Sequence, residues 1–275
     1  CNIVLDNIES VQMDETTKKK YKGEMLFIRA LTYFNMVRLW GDVPLVIRYF
    51  DDPFQTFGIG RSPVNDVYEQ IKNDLIEASK ILPEVPDNKR LGTAVSGSAK
   101  TLLGKVYLTL KDYDNAVKIL KEVIDSQQYT FIQNYTELFD ADNKNNSESI
   151  FEIQYTEAVT DLGSAFANLF APIGSSEVTG GIGATEGNNE PTQNFYESYN
   201  IDDLRRDVSI GQLADGRIYC KKFVKKPVLP NQSNANFVVL RYTDVLLMYA
   251  EALNEISYSS SGDAIKYLNE VRQRA

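Results

Sequence analysis

Residues 98–126, SAKTLLGKVYLTLKDYDNAVKILKEVIDS, decide how the rest of the chain is read. Apolar residues recur at helical spacing on both sides of a short polar segment, Lys111-Asp112-Tyr113-Asp114. That is the pattern of two helices joined by a tight turn. Gly104 on the first helix and Ala116 on the second are small enough to let the two axes approach. Tyr107 and Leu120 then fill the neighbouring groove. A second hairpin is predicted near the end of the chain, where Leu246, Tyr249, Ala250 and Leu253 face Ala264, Leu268 and Val271 across a longer SYSSSGD turn.

The spacing of Leu103, Gly104, Tyr107, Ala116 and Leu120 follows the tetratricopeptide pattern. Helices are predicted over 15–40, 63–82, 98–110, 113–126, 242–256 and 262–274. Asp14 is placed to cap the 15–40 helix, and Gly41 with Pro44 ends it. Met25, Ile28, Leu31, Phe34 and Met36 are its predicted buried set. Ser62-Pro63 reads as N-cap and first position of the next helix, whose buried stripe is Val64, Val67, Ile71, Leu75 and Ala78. A loop through Gly92 follows it. The fold class is therefore all-α, a tetratricopeptide-like helical hairpin scaffold with long irregular loops and a few short strands. The expected division is one domain over 1–275, with scaffold at 1–139 and 241–275 and a loop-rich insert at 140–240. Within the insert SIFEIQY, RIYCKKFV and NFVVLRY read as short strands, and Pro191 as the start of a short helix.

Composition removes several function classes. The chain has 275 residues and a formal charge of -9, and no basic stripe offsets it, so nucleic acid is not an expected partner. There is no histidine, which excludes His-based triads and His-ligated metals within this chain. Cys1 and Cys220 cannot form a thiolate cage, and neither a metal nor a cofactor is expected. No apolar run reaches the roughly 20 residues of a membrane span. GGIGATEG lacks the spacing and context of a phosphate loop, and DADNKNN places Lys144 where a calcium ligand is required. Asp202-Asp203 and Arg205-Arg206 read as a surface turn with local ion pairs.

Taken in order, GEMLFIRALTYFNMVRLWGDVPLV (23–46), GRSPVNDVYEQIKNDLIEASKILP (60–83), the hairpin already described, ESIFEIQY (148–155), LRYTDVLLMYAEALNE (240–255) and AIKYLNEVRQRA (264–275) resemble the SusD/RagB family across most of the chain. The resemblance implies a non-enzymatic, lipid-anchored protein on the outward face of the outer membrane. It would bind oligosaccharides and pair with a SusC-like TonB-dependent transporter. The family carries roughly a hundred residues before the GDVP helix, far more than the few dozen here, and a segment after the LNEVRxRA helix. The chain is thus expected to be incomplete at both ends, with its anchor outside this sequence and Cys1 internal.

Sugars offer apolar C–H faces to aromatic rings and a rim of hydroxyls to Asn, Asp and Arg. Such residues concentrate in 49–61 and 161–200, two loops expected to meet over one face of the scaffold. The candidate ligand residues are Trp40, Phe54, Phe57, Asn188, Asn189, Tyr196 and Tyr199. Trp40, the single tryptophan, also has a plainer reading as a core plug at a helix end. The competing function is a tetratricopeptide-type protein-docking module that binds no glycan.

Overall fold

A computed structural model of the chain describes residues 1–87 and 90–275. The loop expected to run through Gly92 includes residues 88 and 89, which lie outside the described residues. The elements in chain order are helix α1 (Asn2–Asn7), α2 (Glu15–Trp40), α3 (Val64–Ile81), α4 (Ser96–Thr109), α5 (Tyr113–Asp125), strand β1 (Ser149–Ile153), α6 (Phe166–Phe170), α7 (Gln193–Glu197), α8 (Arg206–Ser209), β2 (Ile210–Gln212), β3 (Ile218–Cys220), β4 (Phe237–Arg241), α9 (Tyr242–Ile256) and α10 (Asp263–Arg272). This is the helical hairpin architecture with short strands that the periodicity predicts. The chain divides into two compact units, Cys1–Gln128 with Asp244–Tyr267, and Tyr129–Thr243 with Leu268–Ala275.

In the first unit α2 packs on α3, α3 on α4, and α4 on α5. The Asp14 carboxylate accepts from the Thr17 N–H at 2.9 Å, which satisfies one orphan donor at the start of α2. Gly41 ends α2 with φ +67°, a conformation that L side chains rarely adopt. The face of α2 that enters the core is Leu26, Phe27, Ala30, Tyr33, Phe34 and Val37. Of the predicted set only Phe34 is buried, and Ile28 is exposed. The helix carries apolar residues on more than one face, so periodicity alone does not choose between them.

Asp74, buried on α3, is matched by Arg29 of α2 through two bonds of 2.7 and 2.8 Å. A third bond to Asp74 comes from the Gln70 amide. The cap of α3 differs from the expectation. Pro63 precedes the first helical residue, and the Val64 N–H donates to the carboxylate of Asp42 at 3.0 Å. Ser62 instead pairs backbone to backbone with Val43. The GDVP turn thus ends one helix and caps the next.

The α4–α5 hairpin has the close approach that its small residues require. A Cβ on Gly104 would lie 2.4 Å from Leu120 Cδ2, so only glycine fits there. Lys111 takes φ +60° in the turn, and Asp112 accepts from the Asn115 N–H. Val67, Ile71, Leu75, Leu102, Val106, Leu120, Val123 and Leu246 fill the core of this unit. Each buried side chain of this size contributes about 1.5–3 kcal/mol.

In the second unit β1 pairs antiparallel with β4, and β2 with β3. Phe166 is the centre of an aromatic cluster, with ring centroids 5.9 Å from Tyr155, 5.5 Å from Phe170, 6.0 Å from Phe223 and 5.7 Å from Phe237. The Gly-rich segment that follows is tied to α6. The Asn168 amide donates to the carbonyls of Ile182 and Ala184 and accepts from the Asn231 N–H. α7 begins after Thr192, whose hydroxyl accepts from the Phe195 N–H, two residues later than Pro191 suggested.

Candidate functional site

The second unit contains an open cavity of about 940 Å³. Three stretches line it: 134–140, 201–208, and Lys221 with Val224. Each is held by local hydrogen bonding. Asn134 caps the 3-10 turn Tyr135–Leu138 by accepting from the Thr136 N–H, and its amide donates to Glu137. Asp140 accepts from the Asp142 N–H at 2.9 Å. Asp203 makes a two-pronged pair with Arg205, at 2.9 and 2.6 Å, and Arg206 donates to Asp207 at 2.8 Å. The surface turn with local ion pairs expected from the sequence is therefore present. It also forms a wall of the cavity.

The lining has two chemical characters. Phe139, Ile201, Leu204, Val208 and Val224 supply apolar contact area. Ile201 and Leu204 are 83% and 65% exposed, so this area faces solvent. Phe139 is fixed edge-on between Tyr135 at 5.6 Å and Phe223 at 5.4 Å. The polar part is rich in acceptors: Glu137, Asp140, Asp202, Asp203 and Asp207. The Arg205 guanidinium holds the Asp203 carboxyl below its usual range, and Arg206 does the same for Asp207. Both are therefore ionised at neutral pH and accept hydrogen bonds without donating them.

Two of the sequence-predicted residues stand beside this cavity. Tyr196 on α7 packs under the guanidinium of Arg206, 5.5 Å from the ring centroid, and Arg206 in turn holds the lining residue Asp207. Tyr199 meets Phe195 edge-on at 5.5 Å. Burial raises the Tyr199 hydroxyl pKa, and the nearby charges of Arg205 and Asp203 act on it. Asn188 is exposed and donates to Glu186. Asn189 is exposed with φ +57° and bonds the Cys220 thiol, which burial pushes up in pKa.

The other three predicted residues belong to the first unit. Phe54 and Phe57 are 71% and 75% exposed and meet edge-on at 5.4 Å across the turn Pro53–Thr56. Trp40 is 63% exposed at the last position of α2, so it is not the core plug that its place at a helix end suggested. With Gly41 turning the chain away immediately after it, its ring has no interior to enter. Phe166 and Phe170, in the predicted loop region, are part of the aromatic cluster described above.

Sequence reading missed the 134–140 stretch, Ile201, Leu204, Val208, Lys221 and Val224 as site residues. The available signal was the pair of large apolar residues flanking Asp202-Asp203, Ile201 and Leu204, in a segment with too many charges to bury them.

Residues 1–108 match the family described as "Starch-binding associating with outer membrane", and residues 205–275 match the SusD family. SusD-like protein P2 of Formosa agariphila is 28% identical over the whole of this chain, which spans 59% of that protein. A solved laminarin binding SusD-like protein superposes with a TM-score of 0.87 at 29% identity, over 99% of this chain and 67% of that one. A structure determined with a xylogluco-oligosaccharide superposes with a TM-score of 0.84 at 28% identity, over 99% of this chain and 61% of that one. Two matched segments, one at each end, together with whole-length likeness in sequence and in fold, lead to one conclusion: the chain belongs to the SusD/RagB family.

Proposed function

We propose that this chain binds oligosaccharides at the bacterial cell surface, without chemically altering them, and passes them to a SusC-like TonB-dependent outer-membrane transporter. The protein would be held at the outer membrane by a lipid anchor. The observation that carries the reading is the cavity of the second unit: apolar side chains beside a rim of acceptors, the complement of a sugar's C–H face and its hydroxyls. The glycans named for two of its solved relatives support it. In this reading the chain acts as part of one SusD-like domain, scaffold at 1–139 and 241–275 and ligand-side insert at 140–240. Tyr196 and Tyr199 flank the bound sugar, and Asn188 and Asn189 hydrogen-bond its rim. Trp40, Phe54 and Phe57 offer a second stacking surface on the first unit.

Stacking on each ring contributes only about 0.5–1.5 kcal/mol, so affinities on the order of micromolar to millimolar are expected. Calorimetry against neutral oligosaccharides tests the reading, with Tyr196→Ala, Leu204→Ala and Phe54→Ala beside the parent. Weakened binding in the first two places the sugar in the cavity, and weakened binding in the third adds the exposed Phe pair. A chain that binds a protein partner and no glycan would favour the docking-module reading instead.

A further inference from the structure

The same cavity carries an uneven charge, and this bears on which glycans it admits. Its lining includes five carboxylates, Glu137, Asp140, Asp202, Asp203 and Asp207, and one cation, Lys221. Proteins that recognise uronates or sulfates present an open Arg fork or a free ammonium to the anion. Here the neighbouring cations are already engaged. The Arg205 fork is filled by Asp203, Arg206 is paired with Asp207, the Lys221 ammonium donates to the Asp207 carbonyl at 2.9 Å, and the Lys222 ammonium stands 4.8 Å from the centroid of the Phe139 ring. An incoming carboxylate or sulfate would compete with these internal partners for the remaining N–H groups, with Glu137, Asp140 and Asp202 facing it. A neutral sugar meets no such obstacle, because its hydroxyls donate to the carboxylates and its C–H faces lie on Ile201 and Leu204.

We infer that this cavity is a charge filter, which accepts neutral oligosaccharides and refuses uronate- and sulfate-bearing ones. The inference rests on the proposal that the cavity binds glycan. The filter is electrostatic, so it weakens with salt: the Debye length is about 10 Å at 0.1 M and about 3 Å at 1 M. The neutral complex has no net ligand charge to screen and responds little.

The experiment is calorimetry at low and high salt. The probes are neutral hexasaccharides (laminari-, cello-, malto- and xylohexaose) and a hexagalacturonate of the same length. The chain is compared with Asp202→Asn and Asp140→Asn, both at exposed residues, with thermal melts as the control for folding. The expected result is at least about tenfold preference for the best neutral ligand at low salt. Each neutralised carboxylate should narrow that preference by about threefold, the repulsion of two unit charges about 7 Å apart in water. Added salt should narrow it as well.

A hexagalacturonate that binds as tightly as the best neutral sugar would overturn the filter and leave glycan binding standing. So would a preference unmoved by both substitutions and by salt. Absence of binding by every probe would remove the glycan reading itself and the filter with it.

Discussion

Glu148 and Arg274 stand 126 residues apart in the chain and 2.7 Å apart in space, both almost wholly removed from water. Arg241 takes the other carboxylate oxygen at 2.8 Å, and the Thr243 hydroxyl donates to that oxygen as well. The Ile132 N–H completes the shell at 3.0 Å, and the Arg274 guanidinium lies 4.0 Å from the centroid of Phe131. One carboxylate therefore joins the start of β1, the β4–α9 junction and the end of the chain within the second unit. Burial pulls the Arg274 pKa down, and Glu148 opposes that shift.

Removing one partner of such a network leaves buried charge uncompensated. Glu148→Ala should destabilise the protein by about 3–5 kcal/mol, because two guanidinium groups lose their counter-ion. Urea denaturation of variant and parent measures it. A change below about 1 kcal/mol, the size seen at exposed pairs, would mean that water reaches the network.

Gly104→Leu should cost about 1–3 kcal/mol by overpacking, since even a Cβ there would meet Leu120 at 2.4 Å. The double substitution Gly104→Leu with Leu120→Ala should recover part of the loss, because it empties the space the new side chain needs. Thermal melts of the three proteins test the contact. Equal melting temperatures for parent and Gly104→Leu would contradict it.

Asp203 gives the protein a pH dependence of defined sign. Arg205 holds its folded pKa below the ordinary value, so the pair contributes its full stability above the unfolded pKa of about 3.9. That contribution is lost as pH falls through the lower folded value. The stability difference between parent and Asp203→Asn should therefore be level from about pH 5 to 8 and shrink below about pH 4. Urea midpoints measured across that range will show the trend, and a difference that grows on acidification would reverse the assignment.

Trp40→Ala, Phe54→Ala and Phe57→Ala should each change stability by no more than about 0.5 kcal/mol, since all three rings lie mostly in water. A buried tryptophan would instead cost about 3–5 kcal/mol. Chemical denaturation of Trp40→Ala thus separates a surface role from a core role without reference to any ligand.

The sequence alone determined the features that depend on neighbours within a few residues. The α4–α5 hairpin, the limits of α2, the Asp14 cap and the helix-stopping Gly41 are all written in local spacing and in single-residue conformational preference. The short strands β1, β3 and β4 were legible for the same reason. The family was legible too, because its segments keep their order and spacing along the chain.

What the tertiary structure decided has the opposite range. Which stripe of α2 is buried depends on the surfaces of α3 and α4 set against it, and a helix with apolar residues on more than one side cannot choose alone. Asp42 caps a helix that starts 22 residues later, and Glu148 meets an arginine at the far end of the chain. The cavity draws its lining from 134–140, 201–208 and 221–224; the first has no local signal of a site, the second reads as a surface turn and the third as the end of a strand. Hydrophobic periodicity reports which side of an element avoids water. It carries no information about which distant charge or ring will stand opposite, because that is fixed only when the chain closes on itself.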